Sequence, residues 1–188
     1  FDAMFMDGVP EPTAGFSPDS ETMEKIRLSK YTDTLLTLPP NDIAYAIALY
    51  DGEIRFVDTW FGELWSVIRE LGLDRRATVV VLSDHGEEFQ EHGSVLHEKL
   101  YATVTRIPFM IRLPGGRLAR PVSEVVESID LMPTLLELAG SPVPGGVQGS
   151  SLLPLIIGQE ENGLHVAFSE SPFFGRNRAV TLGRHHLI

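Results

Sequence analysis

Apolar residues after Pro40 recur at Ile47, Tyr50, Ile54, Val57, Phe61, Leu64, Ile68 and Leu71, in steps of three and four. With 3.6 residues per turn, that spacing lays them along one face of an α-helix. Asn41, after two prolines, is placed to cap the first turn, and Gly72 to end the last. At ~1.5 Å per residue the helix is roughly 45 Å long, a length that predicts it lies across the face of a large sheet. The pattern then changes. Thr78–Leu82 is an unbroken, mostly β-branched run, which predicts a central parallel strand buried on both faces. Pro108–Leu113 predicts a second strand, ended by Pro114-Gly115-Gly116. Asp130 is placed to start a helix through Ala139, with Pro133 in its first turn and Gly140 at its end. Ser150 or Ser151 starts another short helix, stopped by Gly158, and His165–Ser169, Ala179–Thr181 and the terminus read as strands.

Ahead of the long helix, residues 1–40 carry Pro10, Pro12, Gly15, Pro18, Pro39 and Pro40. They read as an irregular surface segment with one short helix near Ser20–Ser29. Because the chain opens at Phe1, this segment is expected to continue a missing N-terminal part. Residues 41–188 then form the C-terminal portion of an α/β domain. Helices alternating with strands predict a layered fold with a mostly parallel central sheet, here incomplete, and a small antiparallel addition at the C-terminal end.

Composition narrows the function classes. A chain of 188 residues, 43% of them hydrophobic, can bury a core. Fifteen Lys and Arg against 26 Asp and Glu leave a net charge of −11, which argues against a nucleic-acid surface built on clustered cations. The same balance suits carboxylates gathered around a divalent metal. No cysteine is present, so disulfides and thiolate metal sites are excluded. No run of about 18 apolar residues suggests a membrane span, and no signal peptide is visible.

The chemistry concentrates in Ser83-Asp84-His85-Gly86-Glu87-Glu88, directly after the Thr78–Leu82 run. Ligands of open α/β sheets bind beyond the carboxyl ends of strands. Adjacent Asp84 and His85 reach one point only if the chain turns sharply, and Gly86 supplies that freedom. A carboxylate oxygen and an imidazole nitrogen suit Ca²⁺, Mg²⁺, Mn²⁺ or Zn²⁺. The plainer alternative is a turn in which Asp84 caps the following backbone and His85 is a surface side chain.

What decides between them is the order of further segments. Tyr50-Asp51-Gly52-Glu53-Ile54 and the rest of its helix are followed by Ser83-Asp84-His85-Gly86-Glu87-Glu88-Phe89 and Glu91-His92-Gly93. Next come His97-Glu98-Lys99-Leu100-Tyr101, Arg106-Ile107-Pro108-Phe109-Met110-Ile111-Arg112, Ile129-Asp130-Leu131-Met132-Pro133-Thr134-Leu135-Leu136, Gly149-Ser150-Ser151-Leu152 and the closing Gly183-Arg184-His185-His186-Leu187-Ile188. This ordered set, over roughly Ala48 to Ile188, resembles the C-terminal portion of the sulfatase family of the alkaline phosphatase superfamily.

The resemblance implies an alkaline-phosphatase-like α/β fold and a metal-dependent sulfuric ester hydrolase. It places Asp84 and His85 on the family's downstream pair of metal ligands, with Ca²⁺ favoured and Mn²⁺, Mg²⁺ or Zn²⁺ possible. Lys99 or His97 falls where the family sets a cation against the anionic ester, so these are the catalytic candidates; no cofactor-binding residue is assigned. His at position 85 is also common in phosphate-handling relatives, which leaves sulfate and phosphate esters open as substrates. His92 reads as a loop-fixing residue, Asp58 as a helix-capping partner, and Arg106 and Arg112 as salt-bridge partners of the acidic surface. His185 and His186, adjacent on a strand, point to opposite faces.

The family's nucleophile sits in Cys/Ser-x-Pro-x-Arg, where Cys or Ser becomes formylglycine, and no such motif occurs in residues 1–188. The chain alone is therefore expected to be inactive, with formylglycine in the missing part. An exposed sheet edge is expected to favour self-association. Two other functions stand beside this one. The first is a phosphodiesterase, phosphonate hydrolase or phosphoglycerol transferase of the same superfamily. The second is a non-catalytic binding or assembly domain.

Overall fold

The computed structural model describes residues 5–14, 16–17, 20–29, 37–116, 120–159, 165–173 and 177–188. Gly15 and Pro18, two of the turn formers named above, lie outside them. The N-terminal segment carries helix α1, Glu21–Ser29, started by Ser20, whose Oγ accepts the Met23 N–H at 3.2 Å. The segment is not wholly superficial. Ile26 and Leu38 are buried. Its loop is tied to the next helix by the Thr13 N–H donating to Asp42 at 2.6 Å and by an edge-on Phe16–Tyr45 contact.

Helix α2 runs Pro40–Glu70, 31 residues, in agreement with the three-and-four spacing. Its start lies two positions earlier than expected. Pro40 fills the first turn, where a missing N–H costs nothing, and Pro39 occupies the cap with no side-chain bond. Asn41 is thereby inside the helix, and its amide donates to the Glu11 carbonyl instead of capping. Gly72, at φ 65°, ends the helix as expected.

The apolar stripe of α2 is largely uncovered. Ile54, Val57, Leu64 and Leu71 are all more than half exposed. Its buried residues, Asp42, Ala48 and Gly52, all sit in the N-terminal half. There Tyr50 meets Phe89 edge-on at 5.3 Å. Near the other end, Trp65 lies under the Arg112 guanidinium at 4.8 Å.

Strand β1, Val79–Leu82, pairs antiparallel with β4, Phe109–Arg112, Val79 facing Arg112 and Leu82 facing Phe109. The expected parallel, doubly buried strand is corrected here. Among the described residues β1 has β4 as its one bonded neighbour, so Val79–Val81 are half-buried and Leu82 is exposed. The chain between them carries β2, Glu88–Phe89, β3, Val95–Leu96, and the short helix α3, Ala102–Thr105.

Helix α4, Leu131–Leu138, and α5, Leu153–Ile157, lie where expected, with Gly140 and Gly158 at positive φ beyond their ends. Asp130 organises the junction. Its Oδ2 accepts the Glu127 N–H at 2.8 Å and its Oδ1 the Ser150 N–H at 2.8 Å. The buried Thr134 hydroxyl donates to the Asp130 carbonyl and accepts the Leu152 N–H. Gly149 is needed for close approach: a Cβ there would lie 2.2 Å from the Ile129 carbonyl oxygen. The C-terminal strands β5, Val166–Ser171, β6, Asn177–Leu182, and β7, His185–Leu187, form the expected antiparallel addition in the order β5-β6-β7. Glu127 Oε1 accepts the Phe168 N–H at 2.7 Å and ties this sheet to the Asp130 junction.

Candidate active site

Strand β1 delivers the chain to Ser83, whose N–H bonds the Pro108 carbonyl and continues the ladder by one step. A tight turn follows. The Ser83 hydroxyl donates to the His85 carbonyl at 2.5 Å, and the His85 N–H donates to Asp84 Oδ1 at 3.0 Å. Gly86 was expected to give this turn its freedom. Its decisive property is instead the lack of a Cβ, which would stand 2.0 Å from the Thr103 carbonyl oxygen. The Gly86 N–H donates to the Val104 carbonyl at 2.7 Å and so docks the turn onto α3.

The His85 ring is oriented by its own chain. Nδ1 stands 2.8 Å from the Gly86 carbonyl, an acceptor only, so Nδ1 carries the proton. Nε2 is left with a lone pair, 3.6 Å from Asp84 Oδ2. Two donors on one cation, at bonds of ~2.1 Å and an angle of roughly 115°, are ~3.5 Å apart. Longer bonds of ~2.4 Å suit the same separation at a narrower angle. Carboxylate and imidazole are thus close enough for one cation to touch both, and equally close enough for an Asp–His pair. They do not make a whole site: among the described residues no group of three His, Cys, Asp or Glu side chains could hold a metal ion. Hydrogen bonds from its own backbone N–H and that of His85, then the positive charge of the His85 ring when protonated, hold the exposed Asp84 carboxyl below the ordinary aspartate range. That shift favours the folded state above the unfolded-state pKa, and the benefit is lost as pH falls through the depressed one.

His97 joins the same cluster. Its ring stacks on that of His85, centroids 3.9 Å apart, and its Nδ1 lies 3.2 Å from Glu87 Oε2. Leu96, just before it, has φ 73°, a left-handed conformation costing an L-residue about 1–2 kcal/mol. This left-handed residue ends β3 directly before His97. Lys99 lies two residues on, half-buried between the buried Glu98 and Leu100.

The supporting residues sort differently from the expectations. His92 fixes the loop as expected, its backbone N–H and Nδ1 both within 3.0 Å of Glu88 Oε1, its ring stacked on Tyr101. Glu88, the buried end of that pair, carried no signal in the sequence beyond its place in an acidic run. Asp58 caps nothing; it is exposed and pairs with Arg55 on the same helix. Arg112 donates to the Asp74 carbonyl at 2.7 Å rather than to a carboxylate, because β4 ends beside the 3-10 turn Leu73–Arg75. His185 and His186 do face opposite ways, and His186 turns inward to the Leu100 carbonyl.

Known proteins resemble this chain in sequence and in fold. A family model described as Sulfatase matches residues 5–141. Arylsulfatase K of Bos taurus is 34% identical over 140 residues, 74% of this chain and 26% of that protein. Arylsulfatase K of Homo sapiens is 31% identical over 168 residues, 86% of this chain and 31% of that protein. Among solved structures, a phosphonate monoester hydrolase from Silicibacter pomeroyi superposes with a TM-score of 0.73 at 29% identity, over 81% of this chain and 34% of that one. A putative sulfatase from Bacteroides thetaiotaomicron shares the fold, with a TM-score of 0.72 at 24% identity over 95% of this chain and 43% of that one. The chain thus spans about a quarter to a third of the curated relatives named here.

Proposed function

This chain belongs to the sulfatase family, and on that premise we propose that it carries one side of the site of a metal-dependent sulfuric ester hydrolase. The observation that carries the reading is the 3.6 Å separation of Asp84 Oδ2 and His85 Nε2, with the imidazole oriented by the Gly86 carbonyl. These two side chains would hold a divalent cation, Ca²⁺ by family resemblance or Mn²⁺, Mg²⁺ or Zn²⁺ by donor chemistry. When bound, the cation supplies electrophilic polarisation and neutralises charge on the ester oxygens.

The remaining roles belong to the chain's own residues. Glu87 holds the His97 imidazole through Nδ1, which would leave Nε2 for a substrate anion. His97, when protonated, and Lys99 offer cationic hydrogen-bond donors to a transferring sulfuryl group, whose charge grows on its outer oxygens. No Cys/Ser-x-Pro-x-Arg occurs in residues 1–188, so the nucleophile, a formylglycine, would come from the longer protein. Residues 1–188 alone are then expected to turn over no aryl sulfate.

A second reading has one specific support. The phosphonate monoester hydrolase superposes on this chain at 29% identity, so the site would also accommodate a phosphonate or phosphate ester. Both readings share the cation pair, and that pair is the test. Ca²⁺, Mn²⁺ and Zn²⁺ are titrated separately into the isotope-labelled chain. Resonances of residues 83–87 and 97–99 should move, and the Asp84→Asn variant should lose the response. If millimolar cation leaves those resonances unmoved both in residues 1–188 and in the longer protein that carries the rest of the site, the metal-dependent reading fails and a non-catalytic binding or assembly domain becomes the better reading.

A further inference from the structure

The C-terminal sheet reads from the sequence as an appendage. Two of its side chains nevertheless reach the segment that carries His97 and Lys99. Ser171, buried at the end of β5, donates its hydroxyl to the Glu98 carbonyl at 2.8 Å across 73 residues. His186, on β7, places Nε2 2.6 Å from the Leu100 carbonyl across 86 residues. The two bonded carbonyls flank Lys99 on either side.

The His186 ring is set from both ends. A carbonyl only accepts, so Nε2 carries the proton and Nδ1 keeps its lone pair. That lone pair accepts from the Thr181 hydroxyl, 2.8 Å away on β6, where Thr181 and His186 are register partners. The hydrogen-bond chain therefore runs from β6 through the imidazole to the backbone of residue 100. On its other side the same segment enters α3, whose Val104 carbonyl takes the Gly86 N–H. One stretch of chain is thus gripped by the C-terminal sheet and by the turn that presents Asp84 and His85.

We propose that His186 and Ser171 are positioning residues. They hold the backbone on both sides of Lys99 so that Lys99 and His97 keep a fixed place against Asp84 and His85. The proposal rests on the site assignment above, and it gives the family's closing strand a task in the chemistry although none of its side chains joins the cluster. Neither residue would touch the ester. Each acts through the Glu98–Leu100 backbone, where loss of one oriented hydrogen bond would loosen the segment by about tenfold in its opening equilibrium.

The His85–His97 stack supplies a readout independent of turnover. Ring-proton shifts and the cross-ring contacts of His85 and His97 are measured by NMR in the wild-type chain, His186→Ala and His186→Gln. Amide exchange over residues 97–101 is followed in the same samples. His186→Ala should lose the cross-ring contacts and exchange about tenfold faster there, with the Val79–Leu82 resonances unchanged. His186→Gln, which keeps an N–H donor at similar reach, should restore both within about twofold. Thr181→Val, which removes only the group that orients the ring, serves if the alanine variant does not fold, and should give a partial loss. Should the resonances of His97 and Lys99 in the loosened variants coincide with wild type while those of β6 and β7 shift, the sheet is merely docked and the proposal is overturned. A cation titration separates this from the site assignment. Cation response with an unmoved stack sinks the positioning role alone, whereas a moved stack with no cation response, in residues 1–188 and in the longer protein alike, sinks the metal reading alone.

Discussion

Helix α2 and the Asp130 junction solve the problem of stability in opposite ways. The helix advertises itself with a long apolar stripe, yet Ile54, Val57, Leu64 and Leu71 stand open to solvent. Only Asp42, Ala48 and Gly52 are buried along its 31 residues. The junction is built of short elements whose apolar residues are locked in place by buried polar groups. Asp130, Thr134 and Pro133 are buried there, and side-chain bonds tie Glu127, Ser150, Leu152 and Phe168 together. Periodicity specifies that an element forms. Small polar groups with no freedom left specify what it touches.

The contrast can be broken most sharply at Gly149. Replacing it with alanine puts a methyl 2.2 Å from the Ile129 carbonyl oxygen, where backbone rather than a flexible side chain must yield. The expected loss is about 3 kcal/mol or more, read as a lower urea midpoint at constant slope. A loss under about 1 kcal/mol would show that the junction is loose. Thr134→Val comes next. It keeps the volume, removes the donor to Asp130 and strands the Leu152 N–H, and should cost about 1–3 kcal/mol in the same assay.

The smallest effect on folding is expected on α2. Val57→Lys with Leu64→Glu should change stability by no more than about 0.5 kcal/mol per site, because neither side chain is buried in this chain. The pair should instead reduce concentration-dependent self-association in sedimentation, since so broad an exposed apolar face invites it. Strong destabilisation by these substitutions would mean that the stripe is packed in solution.

Much of the candidate site could be read in advance, for a local reason. Asp84 and His85 are neighbours in sequence, and a turn after a strand brings neighbours together with no help from distant chain. His97 could be linked to them only through the ordered motifs, since its approach depends on β2 pairing with β3 and on the left-handed Leu96. Ser171 and His186 gave no such sign. Each makes its decisive contact more than 70 residues away, through a single atom, and no periodicity encodes that. Gly86 was singled out correctly but for the wrong property, because a neighbouring backbone is invisible in a one-dimensional pattern.

By itself the sequence determined where the longer helices and the strands of the β1–β4 pair and of the C-terminal sheet lie, to within two or three residues, and which family the chain belongs to, but it gave no sign of β2, β3 or α3. Spacing and local steric preference act over a few residues, and the pattern therefore carries them. Only the tertiary structure decided that β1 runs antiparallel to β4, that the α2 stripe stays open, and that the C-terminal sheet grips the carbonyls beside Lys99. Those outcomes depend on which surfaces and which single polar atoms meet across long separations. That is settled by the packing of the whole chain, where nearly every buried backbone donor and acceptor finds a partner.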